Sequence, residues 1–322
     1  MKNILLILLF VFSAPAFAAQ HMAAAPVAEP LKGAVNTVGY AEKTPEATLE
    51  AIRKHYAKEF PTLKGDAFVD GSLNFNKGSA EYNQYMTARM SDEFDAPVGY
   101  AAAIAAGKSL WETPFTYVGK AWDAPYVKGM KFADCFPNGG KGAANQYPRV
   151  NQSTGKVITF EGALNKCLED SGEKALNMGD MKTMGALTLY PRSLSNGERI
   201  KIEVKTDADK AAFNRGKEVF YGRVGNFEQA CAHCHIQKAG NLARTEELSP
   251  VIGQAAHWPV FRMDRATDGV QLISLQKRYE GCQRSTQVEK PIKPGSDASN
   301  DLEYFHTYLS TGLPFSSGIF RK

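Results

Sequence analysis

The chain has 322 residues, 43% of them hydrophobic and 22% charged, which is enough apolar material for two modest cores and too much for a disordered chain. Its formal charge of +4, from 38 basic and 34 acidic side chains, leaves no electrostatic footprint for nucleic acid. Beyond the N-terminus, no apolar run approaches the ~20 residues needed to span a bilayer.

Residues 1–18 read as an export signal. Lys2 supplies the positive start, Ile4 to Phe12 the apolar middle, and Ala16-Phe17-Ala18 the small-x-small cleavage site. Export makes thiol oxidation the default outside the cytoplasm. Residues 19–45, with repeated Ala and Pro, predict a flexible tether. A first helix follows: Thr44 caps it, Pro45 fits its first turn, and Leu49, Ile52, Tyr56 and Phe60 recur at helical spacing until Pro61. A further helical stretch is predicted from about Ala80 to Met90.

The rest is written twice. A helix around Gly107 and Trp111 matches one around Gly216 and Phe220. Each copy then runs to cysteine (Cys135; Cys231 and Cys234), to an aromatic-proline step (Tyr147-Pro148; Trp258-Pro259), and to a further cysteine (Cys167; Cys282). Each closes with an apolar helix, Met181–Tyr190 and Leu302–Leu309. A period this long means a duplicated domain rather than a solenoid. The two domains are assigned to residues 46–199 and 200–322. At their junction Ile200, Ile202 and Val204 alternate with polar residues, as in a short half-exposed strand or an extended linker.

Cys231-Ala232-His233-Cys234-His235 has the C-x-x-C-H pattern of covalent haem attachment. Two thiols three residues apart reach the two vinyl groups of one porphyrin, and the adjacent His235 reaches the iron from the same side. His233, between them, cannot reach that iron and reads as an exposed filler. Zinc would need further Cys or His at ligand spacing, and a redox dithiol would need a βαβ context. The flanks suit a cytochrome c lobe: Asp207 and Asp209 start a helix bearing Phe213, Gly216 and Phe220. The last helix offers Leu302, Phe305 and Leu309. The fold class expected is mainly α, two tandem cytochrome-c-like domains, the first without haem.

Of five cysteines, the haem takes two. Cys135 and Cys167, both in the first copy, are expected to form a disulfide closing a loop of 32 residues, worth about 3–4 kcal/mol in the chain-entropy model. Cys282 is left single, among Lys277, Arg278, Arg284, Lys290 and Lys293, cations that lower a thiol's pKa and attract anions. The residues leave the sixth iron position open between Cys282 and Met263, with His257 a weaker candidate. Met263 would make the chain an electron-transfer cytochrome c.

From about Gly65 to Lys322 the chain resembles the SoxA family, the larger subunits of the SoxAX cytochromes of bacterial sulfur oxidation. The resemblance rests on Trp111-Glu112-Thr113-Pro114-Phe115, Phe132-Ala133-Asp134-Cys135-Phe136-Pro137, the haem motif, Trp258-Pro259-Val260-Phe261-Arg262 and, above all, Arg278-Tyr279-Glu280-Gly281-Cys282. It matches the one-haem form; a third reading, a tetrathionate-forming thiosulfate dehydrogenase, fits less well because such cytochromes usually carry two haem motifs and this sequence has one. The resemblance implies an L-cysteine S-thiosulfotransferase that joins thiosulfate oxidatively to a cysteine of a SoxYZ-type carrier protein, with electrons passed to cytochrome c. It further implies a single covalent haem c on Cys231 and Cys234, His235 as its proximal ligand, and Cys282 as distal ligand and active persulfide. Arg278 takes the substrate-binding place, a SoxX-type cytochrome subunit is the partner, and the location is the periplasm.

Overall fold

The computed structural model describes residues 28–69, 100–115, 129–243, 246–261 and 272–317. The export signal and the stretch predicted from Ala80 to Met90 lie outside them. Among the described residues, no helix is long and apolar enough to cross a membrane.

The fold is mainly α-helical, and several of its helices begin where side-chain oxygens cap them. Helix α1 is Pro45–Glu59, with the Thr44 hydroxyl accepting from the Ala47 N–H. Helices α2 (Tyr100–Glu112), α3 (the single turn Phe132–Cys135), α4 (Phe160–Asp170) and α5 (Thr183–Ser193) build the first lobe. Helices α6 (Asp207–Tyr221), α7 (Leu275–Ser285) and α8 (Asp297–Leu309) build the second. α6 opens on a capping box between Thr206 and Asp209. Helix α5 starts later and ends later than the apolar pattern suggests, running past Pro191. Proline there removes only its own donor, and the Leu194 N–H still closes on the Tyr190 carbonyl.

The duplication is visible element by element. In the first lobe α2 crosses α5 at Gly107, where a Cβ would lie 2.1 Å from the Ala186 carbonyl oxygen. In the second, α6 crosses α8 at Gly216, where a Cβ would lie 2.0 Å from that of Asp301. Both aromatic-proline steps are cis, and each leads into a two-residue hairpin. The first pairs β1 (Arg149–Val150) with β2 (Val157–Ile158). Between the lobes' hairpins, β3 (Leu242–Ala243) pairs with β4 (Glu246–Glu247). The second lobe's hairpin pairs β5 (Val260–Phe261) with β6 (Leu272–Ile273). Each is followed by a helix capped by a hydroxyl, Thr159 on α4 and Ser274 on α7. Cys167 and Cys282 each stand eighth in that helix.

The lobes differ in what fills them. In the first, Cys135 and Cys167 are bonded, with Cα atoms 6.0 Å apart. Trp111 packs against Phe132, Phe136 and Phe160, so aromatic rings fill the middle of that core. In the second, Phe213, Phe220 and Phe305 cluster at the α6–α8 crossing and a cavity remains beside them. Between the lobes, residues 200–204 run extended, with Ile200, Ile202 and Val204 buried. The Ile200 N–H bonds to the Leu313 carbonyl.

The N-terminal segment departs from expectation. Residues 28–45, predicted as a loose tether, are strapped to the second lobe: the N–H groups of Glu29, Lys32 and Val35 donate to the carbonyls of Lys290, Arg223 and Tyr221. The buried Lys217 ammonium bonds to the Glu42 carbonyl at 2.6 Å. Helix α1, assigned to the first domain, shares one core with the second lobe through Leu49, Ile52 and Tyr56. An apolar stripe specifies that a helix must be covered, not which core covers it.

Candidate haem and sulfur site

A single helical turn, His233–Gln237, carries the end of the C-x-x-C-H motif. A hairpin precedes it, closed by the Val224 and Gln229 bridge. The turn opens into a cavity of about 300 Å³ whose lining includes Cys231, Cys234 and His235 on one side and Arg278, Tyr279 and Cys282 of α7 on the other. Phe220, Leu302 and His306 close it from α6 and α8.

His235 is oriented by its backbone surroundings. Its Nδ1 lies 2.8 Å from the Ser249 carbonyl oxygen. A carbonyl only accepts, so Nδ1 carries the proton and Nε2 keeps its lone pair for a metal. The Tyr56 hydroxyl of α1 donates to the His235 carbonyl and accepts from the Val251 N–H at 3.1 Å. The first helix thus steadies the turn that bears the imidazole. His233 is half-buried rather than an exposed filler, its Nδ1 accepting from the Ala230 N–H at 2.9 Å.

The three unbonded cysteines feel one another. Burial, then the neighbouring Cys282 and Cys234, push the Cys231 thiol up to about 12. Burial and then Cys282 also raise Cys234. Cys282 therefore stands across the cavity from the C-x-x-C pair, where its counterpart Cys167 is bonded to Cys135.

On and just beyond α7 the positive charges divide into two groups. Arg278, Cys282 and Ser285 fall on one stripe and line the cavity. Lys277, Arg284 and Lys293 converge instead on the buried Glu280 carboxylate at 2.7, 2.7 and 2.9 Å. Burial pushes the Glu280 pKa up, but those three hydrogen-bonded cations more than reverse it, to about 2. The expected cationic field around Cys282 is therefore corrected: three of its five members are held by a carboxylate, and among the five only Arg278 lines the cavity.

The other iron-ligand candidates fare differently. Met263 lies outside the described residues. His257 is buried away from the cavity lining, with its ring nitrogens against the Ser316 and Val69 carbonyls.

The residues present fit a haem. The donor set is two thiols and an imidazole with a free lone pair, and the lining is largely apolar. Trp258, which lines the cavity, buries its Nε1–H without a hydrogen-bond partner among the described residues, an orphan that suits a haem carboxylate. Trp258, Tyr56 and Glu280 escaped the sequence reading as site residues, since nothing in their spacing marks them.

Comparison with known proteins bears on the same architecture. The family model described as "SoxA/TsdA, cytochrome c domain" matches residues 118–200, the lobe plugged by the disulfide. The L-cysteine S-thiosulfotransferase subunit SoxA of Allochromatium vinosum is 32% identical over 91% of this chain and 96% of its own length. The protein of the same name from Chlorobaculum tepidum is 32% identical over 86% of this chain and 88% of its own. The chain belongs to the SoxA family. Among solved structures, SoxXA from P. pantotrophus superposes with a TM-score of 0.59 at 25% identity, covering 73% of this chain and 83% of that one. Family membership identifies the fold as cytochrome c and the cofactor class as haem c, in keeping with the cavity beside His235.

Proposed function

We propose that this chain is the SoxA-type subunit of an L-cysteine S-thiosulfotransferase, which conjugates thiosulfate to a cysteine of a SoxYZ-type carrier protein. The observation that carries the reading is the placement of Arg278 and Cys282 one helical turn apart on the wall of the cavity that faces Cys231, Cys234 and His235. In this reading, Cys231 and Cys234 hold one covalent haem c. His235 and Cys282 would supply its iron ligands, and a SoxX-type cytochrome subunit would complete the enzyme in the periplasm. The haem supplies one-electron redox chemistry when bound.

Thiosulfate is a dianion, and the Arg278 guanidinium matches its sulfonate end with a bidentate contact. That contact directs the sulfane sulfur toward Cys282. Joining the Cys282 thiolate to the sulfane sulfur forms an S–S bond between two nucleophiles and releases two electrons, which pass to cytochrome c. The carrier thiolate then attacks the sulfane sulfur and leaves with the thiosulfate group. Cys282 returns to its starting state by ordinary thiol–disulfide exchange. If Cys282 rests as a persulfide, the same sequence runs one sulfur further out.

Replacing Cys282 tests this. Cys282→Ala should abolish carrier conjugation while a denaturing gel still shows haem on the polypeptide. The tryptic peptide containing Cys282 should carry an added ~32 Da if the persulfide is present. Conjugation that survives in Cys282→Ala would sink the enzyme reading.

A further inference from the structure

Helix α8 carries Glu303 and His306 one turn apart, each 3% exposed. His306 lines the cavity, and its Nδ1 lies 2.8 Å from the hydroxyl of the buried Tyr279 on α7. The Phe220 ring of α6 packs nearby. Glu303 accepts from Gln276 Nε2 of α7 at 2.9 Å. It also lies 4.0 Å from Arg192 of α5, which is equally far from Glu161 of α4. An imidazole and a phenol thus share one wall of the cavity, with Arg278, Cys231, Cys234 and His235 also lining it, and the Glu303 carboxyl is buried one turn away from His306 on the same helix.

Burial, followed by the charges of Glu303, Cys231 and Cys282, holds the Tyr279 phenol well above its ordinary value, so it keeps its proton. Such a phenol donates to the Nδ1 of a neutral ring and accepts from the Nδ1–H of a charged one. The His306–Tyr279 bond therefore survives both protonation states and fixes the ring in either. Burial and then Glu161 raise the Glu303 carboxyl, while Arg192 opposes them. When ionised, Glu303 favours an imidazolium one turn away. Arg278 keeps its charge throughout, so imidazole is the wall's natural proton acceptor near neutral pH.

An electron added to a low-dielectric pocket is costly without a compensating positive charge. We propose that His306, held by Tyr279, is a redox-linked proton site: it takes one proton from solvent when the centre in this cavity gains an electron. It releases that proton when the electron passes to the acceptor. The inference rests on the haem reading above and adds a residue outside the Arg278–Cys282 stripe.

The test is a spectroelectrochemical titration of the purified holoprotein between about pH 5 and 8. Electron affinity should fall tenfold per pH unit over part of that range, about 59 mV for one electron. His306→Gln should flatten the slope with covalent haem retained. Tyr279→Phe should move the pH at which the slope begins. A flat wild-type profile, or an unchanged slope in His306→Gln, overturns the inference and leaves the functional reading standing. If His306→Gln fails to accumulate, an unmoved onset in Tyr279→Phe overturns it instead. A purified chain without haem overturns both.

Discussion

Replacing Gly216 with alanine tests the packing that frames the cavity. A Cβ there would sit 2.0 Å from the Asp301 carbonyl oxygen and 2.7 Å from the Phe305 Cβ. Ordinary carbon–oxygen contacts close at about 3.3 Å, so α6 and α8 must part by more than about 1 Å. The obstacle is backbone, which cannot swing aside. The rings that meet at the crossing, Phe213 on Phe305 at 5.0 Å and Phe220 on Phe305 at 5.3 Å, separate with it. Overpacking of this kind costs about 3 kcal/mol, and alanine's better helix propensity returns about 1 kcal/mol. A net loss of about 2 kcal/mol is expected, or roughly 4–8 °C in Tm. Gly281, inside α7, supplies the opposite case, because a Cβ added there meets nothing within 4 Å among the described residues. Gly281→Ala should gain up to about 1 kcal/mol. Urea denaturation followed by far-ultraviolet circular dichroism reads both variants. A Gly216→Ala protein as stable as wild type, or two variants that shift the same way, would refute the reasoning.

Two further outcomes follow from the lobes' chemistry. A Cys135→Ser/Cys167→Ser double variant should lose about 3–4 kcal/mol of stability yet retain haem on denaturing gels, since that disulfide belongs to the other core; loss of haem would contradict the separation. Glu280, held at about 2 against an ordinary 4.5, contributes stability in full above about pH 4.5 and loses it as pH falls toward 2. Glu280→Gln should therefore cost about 1–2 kcal/mol at neutral pH, given three half-exposed partners. Its deficit relative to wild type should shrink between about pH 4.5 and 2, and a deficit independent of pH in urea titrations would be the wrong result.

Much of the fold was legible because duplication repeats its punctuation. Gly107 and Gly216, the two aromatic-proline steps, and Cys167 and Cys282 mark matching places, and the structure seats each pair in matching elements. The Cys135–Cys167 bridge followed from the same alignment. Other features were not written locally. Leu49, Ile52 and Tyr56 declare an amphipathic helix, but only the tertiary fold sends that face to the second lobe. The cations near Cys282 looked alike in sequence. Helical phase separates them, leaving Arg278 on the cavity stripe while Lys277 and Arg284 turn to Glu280. Tyr56 and Trp258 reach the site from 179 residues before His235 and from a loop, distances no spacing rule reads. His306 was passed over inside an apolar helix, and only its neighbour Tyr279 gives it a role.

The proposed function requires a sulfur of the chain's own Cys282 to serve as a haem-iron ligand together with His235. Low-temperature electron paramagnetic resonance of the oxidised protein, recorded beside Cys282→Ala, tests that most directly. The wild type should give the narrow low-spin signal of a thiolate or persulfide ligand, and the variant should lose it. A broad signal of the histidine–methionine kind, identical in both proteins, would contradict it and leave an electron carrier in place of an enzyme.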